Sequence, residues 1–339
     1  MRSRLLTSLR SAIAAAAITL VAAPVGAASA STTHAVKPGS GCHRAATPGV
    51  ATQTLTVDGA EREYLLSIPA SYNPAKRAPL VLDFHGLGSD KEEQALYSGM
   101  DRQAGAEGYI VITPDGTGTI RHWSLPPLPG GVADVDFVKQ MLATTSRTLC
   151  IDTRRVYATG ISNGAIFSTA LACALPGRLA AIAPVAGVNG TKVCAAGTPR
   201  TSVLAFHGTV DPIVPYSGGR YFAGANAADL PDSAGATGAL GELFGGLRAQ
   251  PVDAAVASWA AFDGCGKPPA TTWIAADVQH ITYPHCPAVG SVELYRVVGG
   301  GHTWPGAIPV NTFHLGPTTG SIDATAVMLR FFGTHARTG

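Results

Sequence analysis

The sequence predicts an α/β fold built around a mostly parallel sheet, and three observations carry that expectation. Short apolar runs of strand length, among them "PLVLDFHG", "YIVITPDG", "LAAIAPVAG" and "TSVLAFHG", read as strands buried on both faces. Between them lie longer stretches with helix caps and helical periodicity, and alternation of the two patterns marks parallel β-α-β units. A Gly-x-Ser-x-Gly segment, residues 160–164, falls where one such strand passes into a helix.

The 339-residue chain opens with Arg2, Arg4 and Arg10, an apolar run, and small residues at Ala28 and Ala30. This is the pattern of an export signal cut after residue 30. A membrane anchor is the competing reading, but the apolar core is shorter than the ~20 residues that span a bilayer. The remainder, about 309 residues, suits one large α/β domain. Without the signal it carries 21 basic and 22 acidic residues. That balance gives no reason to expect nucleic acid or an anionic membrane as a partner.

The elements follow in order. Residues 31–50 are polar, rich in Pro and Gly and without period, and read as a loose arm. "TQTLTVDG" and "EREYLLSIP" alternate around Asp58-Gly59, a hairpin signal. After the strand ending "FHG", residues 89–108 read as one helix, capped by Ser89 or Asp90 and closed by Gly108. The strand "YIVITPDG" precedes a helix over "ADVDFVKQMLATTSRTL", where Asp134 and Asp136 complement the helix dipole. "RRVYATG" is a strand and "NGAIFSTALACAL" a helix, with Ser162 between them. Two buried strands, a helix over "VDAAVASWAAFDG", a strand in "SVELYRVVGGG" and a closing helix in "TGSIDATAVMLRFFGTHA" complete the alternation. Residues 222–250 do not fit it and read either as a lid insertion with a short helix or as a solvated excursion.

Six cysteines, all after the signal, form an even set suited to an oxidising compartment. Pairing neighbours in sequence gives Cys173–Cys194 and Cys265–Cys286, leaving Cys42 with Cys150, one of 15 connectivities. No C-x-x-C pair is present, so a zinc site is not expected.

Ser162 is the candidate nucleophile. Gly160 and Gly164 would free the sharp turn of neighbouring side chains and lift the hydroxyl above the carboxyl edge of the sheet. The competing reading is a helix N-cap. A serine hydroxyl needs a base, and the base needs an orienting acid. Asp211, in "FHGTVDPIVPY", and His302, in "VVGGGHTWPG", follow later strands in the required order, Ser then Asp then His. Taken alone, Asp211 is also an ordinary Asp-Pro turn residue and His302 a loop histidine. His207 is a weaker candidate base, and His85 reads as structural. Backbone N–H groups of Leu87, in "FHGLGSD", and of Asn163 are the candidate oxyanion donors. Trp123 and Trp304 are candidate walls of a substrate pocket, or else packing residues.

Taken together, "FHGLGSD", "DVDFVKQML", "CIDTRRVYATGISNGA", "AAIAPVAG", "FHGTVDPIVPY" and "GGGHTWPG" resemble the secreted esterases grouped with polyhydroxybutyrate depolymerases and feruloyl or acetylxylan esterases. The resemblance runs from about residue 52 to 335. It implies an α/β-hydrolase fold with helices on both faces of the sheet and a Ser162, Asp211, His302 triad. It also implies serine esterase chemistry without metal or cofactor, acting on an ester-bearing polymer or oligomer. Hydroxyalkanoate, feruloyl and acetyl esters stay open as substrates. A non-catalytic binding protein and a peptidase on the same fold are the other readings.

Overall fold

The computed structural model describes residues 41–124, 131–222, 248–308 and 315–338. The signal segment and most of the 222–250 insertion, residues 223–247, lie outside the described residues.

Strands β1 (Gly49–Val57) and β2 (Ala60–Ile68) form the expected hairpin, joined by Asp58 and Gly59, both at positive φ (51° and 80°). This is the twist that two-residue hairpins favour. The arm therefore ends before residue 49. Strand β3 (Ala78–Phe84) leads to α1 (Lys91–Ser98) and α2 (Met100–Ala106). The single helix expected here is broken at Gly99, whose φ of 59° caps α1 in the left-handed region. Then come β4 (Ile110–Pro114), α3 (Gly131–Thr148), β5 (Ile151–Ile161), α4 (Asn163–Ala174), β6 (Ala181–Val185) and β7 (Ser202–Gly208). A two-residue pair, β8 (Gly219–Arg220) with β9 (Arg248–Ala249), is followed by α5 (Val252–Asp263). Strands β10 (Ala270–Ala275), β11 (Val278–Thr282) and β12 (Val292–Val297) and helix α6 (Ala324–Thr334) end the chain.

The main sheet has ten strands in the order β1-β2-β4-β3-β5-β6-β7-β12-β11-β10. Its centre, β4 to β12, is parallel throughout, and antiparallel strands close both sides. The β10–β11 hairpin was not anticipated from the sequence.

Alternation along the strands builds two cores. Leu80, Leu82 and Phe84 of β3 pack with Phe137 and Met141 of α3, Phe167 of α4 and Trp259 of α5. Val81, pointing the other way, packs with Met100 of α2 and Met328 and Phe332 of α6. Helices thus cover both faces, and the parallel strands are buried as their apolar runs imply. No helix among the described residues is long and apolar enough to cross a membrane. The disulfides are Cys42–Cys150, Cys173–Cys194 and Cys265–Cys286, spanning 108, 21 and 21 residues of sequence.

One buried acid in β3 gives the fold a pH dependence. The Asp83 carboxylate accepts Gln94 Nε2 at 2.7 Å and Ser98 Oγ at 2.6 Å, tying α1 to the sheet. Burial pushes Asp83 up to about 7, although both hydrogen bonds pull it down; the charge of Asp101 adds a smaller upward push. The folded chain therefore holds a proton that the unfolded chain releases near the ordinary carboxylate value. Stability from this group is full below that value and is lost as pH rises towards 7, by up to about 1.4 kcal/mol per pH unit. Asp83→Asn removes the titration, so its unfolding free energy should gain on the parent between pH 4 and pH 8. Parallel urea-difference curves across that range would contradict this account of Asp83.

Candidate active site

The carboxyl ends of β5, β7 and β12 carry the three candidate catalytic side chains. Ser162 stands between β5 and α4 with φ 58° and ψ −123°, a conformation that non-glycine residues rarely adopt. Its N–H donates to Val185 O at 2.9 Å, and its carbonyl accepts the Ile166 N–H, which starts α4. The flanking glycines are steric necessities. A Cβ at Gly160 or Gly164 would collide with the carbonyl oxygen of Phe84, and one at Gly164 would also meet that of His85. Ser162 is half-buried and makes no side-chain cap bond. The N-cap reading therefore has no hydrogen bond behind it.

Asp211 lies in the loop after β7 and combines two tasks. Its Oδ1 accepts the N–H groups of Ile213 and Val214, both at 2.8 Å, as a turn aspartate would. Its Oδ2 receives His302 Nδ1 at 2.8 Å and faces His207 Nε2 at 3.3 Å. Burial alone would raise this carboxyl, but His302 and His207 outweigh it and hold Asp211 well below the usual carboxylate range. The His207 Nε2 also faces Val214 O at 2.9 Å, so that nitrogen carries a proton and His207 acts as a second donor to the acid.

His302 is buried, and its N–H donates to Leu315 O at 2.6 Å. The loops carrying Asp211 and His302 meet backbone to backbone. A Cβ at Gly208 would strike the carbonyl oxygens of Gly300 and Gly301. The missing side chain at Gly208 thus lets the loops of the acid and the imidazole converge.

The loop after β3 passes beside the serine. An added Cβ at Gly86 would lie 3.5 Å from Ser162 Cβ, which places the Leu87 segment at the nucleophile. His85 holds this loop, with Nδ1 on Gly86 O at 2.6 Å and Nε2 accepting Gly116 N–H at 2.8 Å. Burial pushes its imidazole below the ordinary range, so it remains neutral.

Sequence reasoning missed the clamp on Asn163. Its Oδ1 accepts Trp123 N–H at 2.6 Å and its Nδ2 donates to Trp123 O at 3.0 Å. Beyond Trp123, Asp134 Oδ2 accepts Ser124 N–H at 2.7 Å, and Asp134 Oδ1 lies 2.8 Å from Arg62. Asp134 stands in the first turn of α3, as the dipole argument expects, and also anchors the Ser124 backbone. If the Asn163 N–H serves the oxyanion, its position depends on this clamp. Asn163→Ala should then lower kcat by about 10- to 100-fold, less than loss of a whole oxyanion donor, with KM nearly unchanged. Steady-state kinetics check this, and a rise in KM at constant kcat would count against it.

The two tryptophan side chains expected as pocket walls are both buried. Trp123 is 2% exposed, stacks on Phe167 at 5.0 Å and donates Nε1–H to His85 O. Trp304 is 1% exposed and donates Nε1–H to Thr325 Oγ1 at 3.0 Å. Each indole N–H has a protein partner and each ring is packed, Trp123 beneath the elbow and Trp304 against α6. A cavity of about 600 Å³ that Trp304 touches, with Leu96, Tyr97 and Ile308, includes no candidate catalytic residue.

No protein-family model matches the chain. Among curated proteins, feruloyl esterase D of Neurospora crassa is 31% identical over 206 residues, 55% of this chain and 66% of the relative. The probable feruloyl esterase C of Aspergillus terreus is 30% identical over 194 residues, 55% of this chain and 67% of the relative. The matched segment thus spans about two thirds of the length of these relatives. Among solved structures, an acetyl xylan esterase from Aspergillus awamori superimposes with a TM-score of 0.56, covering 84% of this chain and 99% of that one. At 14% identity that likeness speaks for the fold alone.

Proposed function

This chain belongs to the feruloyl esterase family on an α/β-hydrolase fold, and from that membership we propose that it hydrolyses feruloyl or acetyl esters borne on plant polysaccharide. Ser162 Oγ attacks the ester carbonyl and His302 takes its proton. Asp211 keeps the His302 proton on Nδ1 and stabilises the imidazolium that forms. The N–H groups of Leu87 and Asn163 receive the oxyanion. Collapse expels the alcohol, protonated by His302, and leaves an acyl group on Ser162. Water activated by the same imidazole releases the acid.

The observation that carries this reading is the 2.8 Å contact between His302 Nδ1 and Asp211 Oδ2, in loops at the same carboxyl edge of the sheet as a serine held at φ 58°. Nothing in the mechanism calls for a metal or cofactor. We place its work outside the cell, a reading supported by three disulfides and by the basic-then-apolar start of the chain. The test is a release assay on methyl ferulate, acetylated xylan and poly(3-hydroxybutyrate) at matched enzyme concentration. Ferulate or acetate release supports the proposal. Release of hydroxybutyrate alone would move the substrate class to polyesters.

A further inference from the structure

Edge strands are normally protected by charge, proline or brevity. The edge strand β10, "ATTWIA", has six residues and no charged side chain, and Trp273 and Ile274 are 55% and 45% exposed. The register slips between Trp273 and Ala275, the kind of bulge that re-aims side chains at a sheet edge. The exposed Trp273 ring thus presents a flat apolar surface at an unpaired sheet edge.

The sheet register connects this edge to the catalytic rim. Trp273 pairs with Gln279, Gln279 with Arg296, and Arg296 with His207. Directly opposed residues share a face, so these four form one row across β10, β11, β12 and β7. The row ends on the histidine that contacts Asp211. Arg296 Nη1 donates to Gln279 Oε1 at 2.7 Å, which turns the donor nitrogen of Gln279 away from the guanidinium.

The loops above the row carry the same character. Val298 and Val210 are 41% and 55% exposed. Val298 N–H donates to Asp277 O in the β10–β11 turn, and Val210 N–H to Gly300 O beside the His302 loop. Exposed apolar side chains thus step from the sheet edge to the residue preceding Asp211. The path crosses three strand spacings, roughly 14 Å.

We propose that Trp273 is a sugar-stacking platform and that this rim, from Trp273 past Val298 to Val210, holds the polysaccharide chain that bears the ester. The inference rests on the polysaccharide-ester reading above. A pyranose ring presents an apolar C–H face to the indole and hydroxyls at its edge. Trp273 supplies the flat apolar surface, and Gln279 and the exposed hydroxyl of Thr271 on the same face supply polar partners. The occupant is an uncharged chain, which matches a track with no exposed charge on β10. The acyl group reacts at Ser162 while the chain several sugar units away rests on the edge.

The test uses the full chain in native gels containing ester-free xylan, alongside kinetics. The parent and Trp273→Phe should be retarded by xylan, and Trp273→Ala should not. Trp273→Ala should leave turnover of p-nitrophenyl acetate unchanged, which also shows that it folds. Its KM on acetylated xylan should rise about tenfold with kcat held. Equal retardation of Trp273→Ala and the parent overturns the proposal. So does a parent dimer that Trp273→Ala converts to monomer, because the edge would then serve self-association. Hydrolysis of acetylated xylan without any retardation by xylan removes the platform and leaves the esterase reading standing. Hydrolysis of p-nitrophenyl acetate with no ferulate or acetate release removes that reading, and retardation then decides the platform separately.

Discussion

Ser162→Ala should reduce kcat on p-nitrophenyl acetate and on the natural ester by about 10⁴- to 10⁶-fold, with the fold intact. The elbow is a backbone feature: φ 58° at residue 162 is imposed by β5, α4 and the Phe84 and His85 carbonyls pressing on Gly160 and Gly164. Alanine occupies the same conformation with the same Cβ, so only the oxygen is lost. That oxygen makes the covalent bond, and no other group in the proposed mechanism can replace it. What activity remains would come from the oxyanion donors and from binding alone. Rapid mixing with p-nitrophenyl acetate should show an initial burst in the parent, where acylation outpaces hydrolysis of the acyl group, and none in the variant. If Ser162→Ala keeps a tenth or more of parent activity, the nucleophile lies elsewhere. Unchanged turnover would leave the non-catalytic binding reading in place.

The parts of this molecule legible in the sequence are those where local chemistry and global fold agree. Buried parallel strands read as apolar runs because both faces are covered, and the glycines of the elbow read as a motif because a Cβ has no room there. The three disulfide pairs followed from pairing neighbours, since two of them close loops of only 21 residues. The β10–β11 hairpin escaped because its turn, Ala276-Asp277, lacks the Gly or Asn that marks a hairpin, and because β10 buries no face to impose alternation. The break between α1 and α2 escaped because Gly99 reads equally as a tolerated helix glycine until its left-handed φ is seen. The depth at which Trp123 and Trp304 are buried escaped for a related reason. An aromatic in a loop sequence gives no sign of whether the loop folds inward, and both of these do. The Asn163 clamp joins residues 40 apart through a side chain and a loop backbone. No periodicity or spacing encodes such a contact.

Asp211→Asn should lower kcat by about 10⁴-fold with little change in KM. The carboxylate accepts four donors: Ile213 N–H and Val214 N–H on Oδ1, and His302 Nδ1 and His207 Nε2 on Oδ2. An asparagine has one acceptor oxygen and one NH2 group, and neither orientation satisfies all four. With the oxygen on the Ile213–Val214 side, the NH2 group faces both imidazoles. His302 must then present a bare Nδ1 and carry its proton on Nε2, where it cannot take the Ser162 proton. With the amide flipped, the NH2 group confronts two backbone N–H donors in a buried turn, and the loop itself is strained. The first orientation costs catalysis and the second costs stability. Tautomer loss predicts a collapse in kcat with a melting temperature close to the parent, whereas turn disruption lowers both. His207 cannot rescue the acid's function, because it too donates to Asp211 and brings no negative charge. An Asp211→Asn variant within tenfold of the parent at pH 7 would mean that another acid orients His302, and the Ser–His–Asp assignment would fail at its acid.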